Sequence, residues 1–338
     1  MKKSGGPKKV ILAIDVKAED SKLTKRICEG LKPFVKEKNI IIEPVTILNR
    51  EDIAMGNYLK SRIGSIRKAT ERHLDEQLAG LGLPGLSAAK VIFADGSSTQ
   101  MAVMALLNHA KKTECELIAI SSHARKGLKR FLLGSFAETL SLQSSIPLLV
   151  VNPHQRTDSK DFKKVLFPTD FSSASIEGLE IVCDSFQKIQ THLILFHSYT
   201  IPIQFSVEPF VNYPLPQSEI DLDFKRTEKM GLNWCKELRN RGISCEFLID
   251  RKSDFVISGI LAAAKRNKVG MIAMVSTTGK WGARILGSVT RQVLRESPRP
   301  VWIVHPSQRK KPTLVGNLKR ANSEYIPQSA LLAAASGK

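Results

Sequence analysis

Short apolar runs separated by longer amphipathic or polar stretches set the rhythm of the chain. The first run lies in KKVILAID, stops at an acid and predicts a strand over Val10–Asp15. A helical stretch over about 19–37 follows. Ile40–Leu48 alternates apolar and polar residues loosely and reads as a second strand. A long polar helix is expected over about 51–80, ended by the Gly/Pro-rich GLGLPGLS. Lys90–Ala94 is a third strand. Asp95-Gly-Ser-Ser then opens a helix to about Lys111, with a Ser or Thr as its N-cap. Glu116–Ser121 is a fourth strand. A helix opening at Gly134-Ser135 leads to a fifth, Pro147–Val151.

The rhythm then starts again. Strands are expected at Val165–Pro168, His192–His197, Cys245–Ile249, Met271–Val275 and Val301–Val304. Helices are expected over about 173–188, 218–240, Ser253–Asn267 and from Gly287-Ser288. LLGSFAETLSLQSSIPLLVV at 132–151 has a counterpart in ILGSVTRQVLRESPRPVWIV at 285–304, and their Gly-Ser pairs lie 153 residues apart. KKVILAID has a counterpart in KKVLFPTD, which places Asp15 and Asp170 155 residues apart. Two markers repeating at nearly one interval indicate a tandem duplication in which the repeat is the domain. Strands alternating with helices, and apolar without strict alternation, indicate a parallel sheet covered on both faces. The class is α/β.

The division is a basic extension over 1–9, a first domain over 10–152, a linker over 153–162, a second domain over 163–306 and a polar tail over 307–338. Residues 199–217 hold four prolines with Phe205, Phe210 and Tyr213 and read as a long loop, either a lid or a plug over a site. SALLAAAS in the tail could form a short helix on meeting a partner.

A chain of 338 residues has room for two such domains, and 42% hydrophobic residues can fill two cores. No apolar run approaches the roughly 18–20 residues of a membrane span. The run after the basic N-terminus stops at Asp15, too short for a secretory signal, so a cytoplasmic protein is expected. Cys28, Cys115, Cys183, Cys235 and Cys245 contain no C-x-x-C pair, which argues against a disulfide framework or a zinc site and for buried thiols. The net charge is +19. Residues 1–9 contribute +4 and residues 307–338 contribute +5, leaving +10 for the body. About half of the excess thus sits on the ends, a balance that permits weak binding to nucleic acid without establishing it.

The repeated residues carry the candidate chemistry. In an open parallel sheet, ligands bind beyond the carboxyl ends of the strands, where Asp15 and Asp170 are expected. An Asp there can accept hydrogen bonds from an adenine amino group or a ribose hydroxyl. Gly134-Ser135 and Gly287-Ser288 open helices, where free N–H groups and the dipole favour phosphate. The alternative is that each Gly-Ser is only a cap and each Asp only a turn former. Recurrence of both in both copies favours an inherited nucleotide site.

At these residues the chain resembles the universal stress protein family in a tandem two-domain form. SSHARKGLKRFLLGSFAETL and FPTDFSSASIEGLE carry the likeness, which covers about 10–152 and 163–306. The resemblance implies two tandem five-stranded parallel-sheet α/β sandwich domains of the adenine-nucleotide α-hydrolase-like kind. It implies ATP binding through a Gly, two residues, a Gly, nine residues, then Gly-Ser or Gly-Thr, and dimerisation through the last strand. The copies depart from this pattern differently. Counting back from Gly134 places Ser121 and Ala124 where the family has glycine. From Gly287 the same positions are Met274 and Thr277, or Val275 and Thr278 with one deletion. The second copy keeps Pro168-Thr169 before its Asp, whereas the first has Ala13-Ile14.

His123 falls in the expected phosphate loop, as a phosphate contact or as a structural residue. Arg125, Lys126, Lys129 and Arg130 beside it are a solvated face or a site for phosphate or an acidic partner. Trp281 and Trp302 read as core or interface residues. No nucleophile–base–acid set, His/Asp metal cluster or Gly-Lys-Ser/Thr loop is visible.

The expectation is a non-catalytic tandem universal stress protein. It binds adenine nucleotide weakly, better in the first domain than the second, or acts by contact with an unknown protein partner. The two domains form an intramolecular pseudo-dimer, with a homodimer also open. The rival readings are an ATP-using enzyme on a related α/β fold and a nucleic-acid-associated protein using the basic ends.

Overall fold

The computed structural model describes residues 8–16, 21–31, 40–49, 63–121, 134–152, 163–186, 191–199, 216–278, 284–306 and 318. The chain divides into two compact units: residues 1–162 with 269–308, and residues 163–268 with 309–338.

In the first unit the chain runs β1 (Lys8–Ala13), α1 (Ser21–Leu31), β2 (Ile40–Asn49), α2 (Ile63–Ala79), β3 (Lys90–Ala94), α3 (Thr99–Lys112), β4 (Cys115–Ser121), α4 (Ser135–Gln143) and β5 (Leu148–Val151). The strands lie in the order β3-β2-β1-β4-β5, every neighbouring pair parallel. Neighbouring residues of a strand point to opposite faces. Ile11 and Leu12 on β1 are both fully buried, so the sheet is covered on both sides, as the unbroken apolar run requires.

The second unit is built from β6 (Lys164–Pro168), α5 (Ser173–Phe186), β7 (His192–Ser198), α6 (Gln217–Asn240), β8 (Cys245–Asp250) and α7 (Val256–Arg266), with β6, β7 and β8 parallel in that order. Its core holds the fully buried Trp234, Phe167 and Phe196. Gly231 lets α6 lie close on β8, because a Cβ there would run into the ring of Phe247.

The rest of the second repeat belongs to the first unit: β9 (Met271–Val275), the two-residue β10 (Thr277–Thr278) and β11 (Arg284–Ile285), α8 (Ser288–Glu296) and β12 (Val301–Val304). β12 pairs parallel with β9 on one side and antiparallel with β5 on the other. The β5 register is Val301 opposite Val150, Trp302 opposite Leu149 and Ile303 opposite Leu148. All eight residues of β5 and β12 are buried. Beside them, α4 and α8 are tied by Glu138, which lies 3.3 Å from Arg291 Nε and 3.7 Å from Arg295 Nη2.

Among the described residues of the first unit, one carboxylate is buried. Glu43 on β2 is 8% exposed and takes His109 Nε2 at 2.6 Å and Lys90 Nζ at 3.0 Å. Burial pushes its carboxyl up, but the His109 and Lys90 bonds outweigh it and hold the group below the usual glutamate range. At the far end of the adjoining loop, Gly85 has φ +78 and a Cβ there would strike the Ile40 carbonyl, which explains why GLGLPGLS ends the helix in glycine-rich sequence.

No helix among the described residues is long and apolar enough to cross a membrane.

Candidate functional site

The first unit reverses its strand order at β1. From there the chain builds outward to β2 and β3 on one side and to β4 and β5 on the other. Loops leaving β1 and β4 therefore part in opposite directions and open a crevice at their carboxyl ends.

Ser121 is the last residue of β4, half-buried and level with Val151 of β5. Asp15 is exposed and lies two residues past β1. The sequence placed it as the strand's final residue. The strand instead ends at Ala13, and Ile14 donates its N–H to the Val45 carbonyl at 2.9 Å as the chain turns away. Gly134 is the N-cap of α4 at φ −59 and ψ 144, and no side chain caps the helix. Glycine brings no side chain to accept from the first-turn N–H groups. Ser135, the next residue, is exposed, and its Oγ is 3.4 Å from Thr99 Oγ1. That contact brings the starts of α3 and α4 together. α3 is capped by Ser98, whose Oγ accepts from Met101 N at 3.2 Å. Asn49, at the end of β2, donates to the Ser97 carbonyl at 3.4 Å. The Ser-Ser-Thr run at 97–99 was read only as a helix start, and nothing in its spacing signalled the meeting with Ser135.

His123 and Ala124 lie outside the described residues, as do Arg125, Lys126, Lys129, Arg130, Trp281, the loop interior at 200–215 and the tail apart from Leu318. The structure therefore brings Asp15, Ser121, Gly134 and Ser135 to one end of one sheet and is silent on the loop between Ser121 and Gly134.

In the second unit Asp170 is also exposed and two residues past its strand, so here too the acid is a loop residue. Its Oδ1 accepts from Ser172 N at 3.0 Å and Ser175 Oγ at 2.6 Å, while Ser172 Oγ accepts from Ser175 N at 3.2 Å. Although the residue is exposed overall, partial desolvation of its carboxyl works to raise the pKa, but the Ser172 and Ser175 bonds prevail and hold it below the usual aspartate range. Between Thr169 and Ser172 sits Phe171 with φ +60, an uncommon backbone for a bulky residue. Thr169 Oγ1 accepts its N–H at 3.0 Å, and its ring meets Trp234 edge-on at 4.9 Å and His197 at 5.0 Å. The Thr of Pro168-Thr169-Asp170 therefore fixes the turn that presents the Asp. His197 Nδ1 donates to the Thr169 carbonyl at 2.8 Å. Burial depresses its pKa below the usual histidine value, against the raising effects of that bond and of Asp170. Neither Phe171 nor His197 was singled out from sequence; a positive φ at phenylalanine leaves no sequence signal.

Also at this end, the Tyr199 hydroxyl lies 3.1 Å from the Ile220 carbonyl and 3.0 Å from Asp223 Oδ2. Arg251 stacks over Phe224 at 4.4 Å from the ring centre.

Asp170→Ala is expected to cost about 1 kcal/mol, the worth of its lost bonds to Ser172 N and Ser175 Oγ. A carboxyl whose folded pKa is depressed stabilises above its unfolded value and loses that contribution as pH falls through the folded one. The Asp170→Ala deficit should therefore be full at neutral pH and shrink as pH falls through the depressed folded pKa, which lies below the usual aspartate value. Denaturant midpoints of both proteins followed from neutral pH down a series of increasingly acid buffers check it.

Gly287 is the N-cap of α8 at φ −54 and ψ 151, again with no capping side chain, and Ser288 is exposed. Both belong to the first unit, whereas Asp170 belongs to the second. Met274 is a buried residue of β9, Val275 ends that strand, and Thr277 and Thr278 form β10, paired with β11. Among the described residues no group of three or more His, Cys, Asp or Glu could hold a metal ion.

A parallel α/β sheet with a switch point between β1 and β4, followed in the chain by a second set of the same elements, defines a tandem α/β protein. The sequence profile of the universal stress protein family matches residues 7–152 and again 161–305. The chain belongs to that family. Among solved structures it is similar to a universal stress protein from Archaeoglobus fulgidus DSM 4304, with 20% identity, TM-score 0.63, and 88% of this chain and 98% of that one covered. It is also similar to a functionally unknown protein from Pseudomonas aeruginosa PAO1, with 14% identity, TM-score 0.56, and coverage of 94% and 98%. These likenesses show the fold. No curated protein matches the chain.

Proposed function

We propose that the chain is a non-catalytic stress-response factor that binds an adenine nucleotide reversibly at the carboxyl edge of its first sheet. The observation that carries this is the switch point between β1 and β4, flanked by Asp15 and Ser121 and adjoined by the uncapped start of α4 at Gly134. Asp15 would accept from the adenine amino group or a ribose hydroxyl. The N–H groups at Gly134, with the Ser135 and Thr99 hydroxyls, would donate to phosphate. Where the family places glycine the first copy has Ser121 and Ala124, which permit a close phosphate less well than glycine. Binding is therefore expected in the micromolar to millimolar range. The second copy binds more weakly or not at all, because Met274 is a core residue of β9 and Val275 and Thr277 are branched. The antiparallel pairing of β5 with β12 supports a further part of the proposal, that the two copies associate within one chain through their last strands.

Calorimetric titration of the full chain with ATP and with AMP tests the reading. One weak site is expected, with no phosphate released from ATP on prolonged incubation. A nanomolar constant, or turnover of ATP, would overturn it.

A further inference from the structure

The five thiols are not equivalent. All are buried and none is in a disulfide, and two of them touch. Cys235 lies near the end of α6 and Cys245 opens β8, and their sulfurs are 2.8 Å apart. That is closer than thiols which merely pack. Cys115 shows the ordinary case, with its Sγ donating to the Leu117 carbonyl at 3.0 Å. Only residues 241–244 separate the helix from the strand, and β8 is the last strand of its sheet. Fraying at a helix end opens at lower free energy than the unit as a whole, which gives a small oxidant a route to the sulfurs. A cation stands beside the sulfurs, because Arg239 donates to the Cys245 carbonyl from Nε at 2.9 Å and Nη2 at 2.7 Å.

We propose that Cys235 and Cys245 form a redox pair that closes to an intramolecular disulfide on oxidation by a peroxide. Cys235 is the attacking thiol. The hydrogen bond from Cys245 lowers its pKa and Arg239 adds to this against the effect of burial, whereas Cys245 is held protonated. The Cys235 thiolate attacks one peroxide oxygen. An S–O bond forms, the O–O bond breaks, and the departing hydroxide takes up a proton as water, leaving a sulfenic acid. The Cys245 sulfur then attacks the Cys235 sulfur. An S–S bond forms, the S–O bond breaks, and the second hydroxide leaves as water with the Cys245 proton. Two thiols and one peroxide give one disulfide and two waters, with two electrons passing from sulfur to oxygen. The bond would fasten α6, which carries Asp223, to β8, whose last residue Asp250 leads into Arg251 at the carboxyl end of that sheet.

The test uses the full-length folded protein treated with hydrogen peroxide, alkylated, and digested with trypsin without reductant. Lys236, Arg239 and Arg241 separate the two cysteines, so the expected product is peptide 230–236 joined to peptide 242–251 and two hydrogens lighter than their sum. Two of the five thiols should be lost to alkylation and recovered with dithiothreitol. Cys183→Ala should leave the link intact, and Cys235→Ser should abolish it. Five alkylated thiols after oxidation, a link through Cys183, or a link between chains would each overturn the proposal. The wild-type digest decides this even if a variant fails to fold.

Discussion

Trp302→Ala is expected to lower the stability of the first unit by about 3–5 kcal/mol. Trp302 is 2% exposed and among the largest wholly buried side chains. It sits at the centre of the β5–β12 pairing, opposite Leu149, between β5 and the parallel neighbour β9. Truncation removes a large apolar surface from the interior and leaves a cavity that two flanking strands, each hydrogen-bonded in place, cannot collapse to fill. Phe255→Ala is the control. That ring is 68% exposed, and its loss should change stability by no more than about 0.5 kcal/mol. Denaturant unfolding followed by tryptophan-independent circular dichroism measures both. Were β12 unpaired, Trp302 would stand on an open edge and its removal would cost little, so a change under about 1 kcal/mol would count against the pairing itself.

The second large effect concerns the ligand. In the full chain, Gly134→Trp should abolish detectable adenine-nucleotide binding, a loss of at least about tenfold in affinity or 1.4 kcal/mol. Gly287→Trp should leave binding unchanged. The comparison is informative because neither glycine needs to be glycine for the backbone. Gly134 has φ −59 and Gly287 has φ −54, both open to any residue. A Cβ at Gly287 meets nothing closer than Thr290 Oγ1 at 4.0 Å. An indole at Gly287 therefore acts by filling the space before a helix N-terminus rather than by unfolding the helix, and circular dichroism of Gly134→Trp checks that its helix too is kept. Calorimetry on both variants reads the result. Loss in Gly287→Trp with retention in Gly134→Trp would assign the working site to the second copy.

The strands were legible because parallel strands covered on both faces leave unbroken apolar runs, and β3, β9 and β12 fall where those runs predicted. Helix starts were less legible. Sequence would begin α7 at Ser253, yet it begins at Val256, and the Ser253 hydroxyl bonds Asp250 instead of capping. The acids at 15 and 170 were found as repeated markers, but Asp15 was read as the last residue of its strand, whereas β1 ends two residues earlier at Ala13. Composition does not show where inter-strand bonding stops, and Ile14 still bonds across to Val45 after the strand has ended. At Asp170 the Thr and the Asp were legible but not the left-handed Phe171 between Thr169 and Ser172, which is held by packing from Trp234 and His197, residues distant in the chain. The convergence of Thr99 with Ser135 was hidden for the same reason: it depends on where two helices begin in space.

The β5–β12 register has a consequence for how the chain could change over evolutionary time. Leu149 and Trp302 are 153 residues apart, the same interval as the two Gly-Ser pairs, so equivalent positions of the two copies face each other. Val301 opposite Val150 and Ile303 opposite Leu148 complete a local two-fold arrangement around them. Were two identical chains to pair in this way, the residue on the axis would face its own copy, and any enlargement would be doubled. Two tryptophans, or two leucines, would have to fit there. Joining the copies in one polypeptide releases that constraint. One side can grow to tryptophan while the other stays leucine, and the pair can be tuned as a large side chain against a smaller one, a complementarity unavailable to a residue that must match itself.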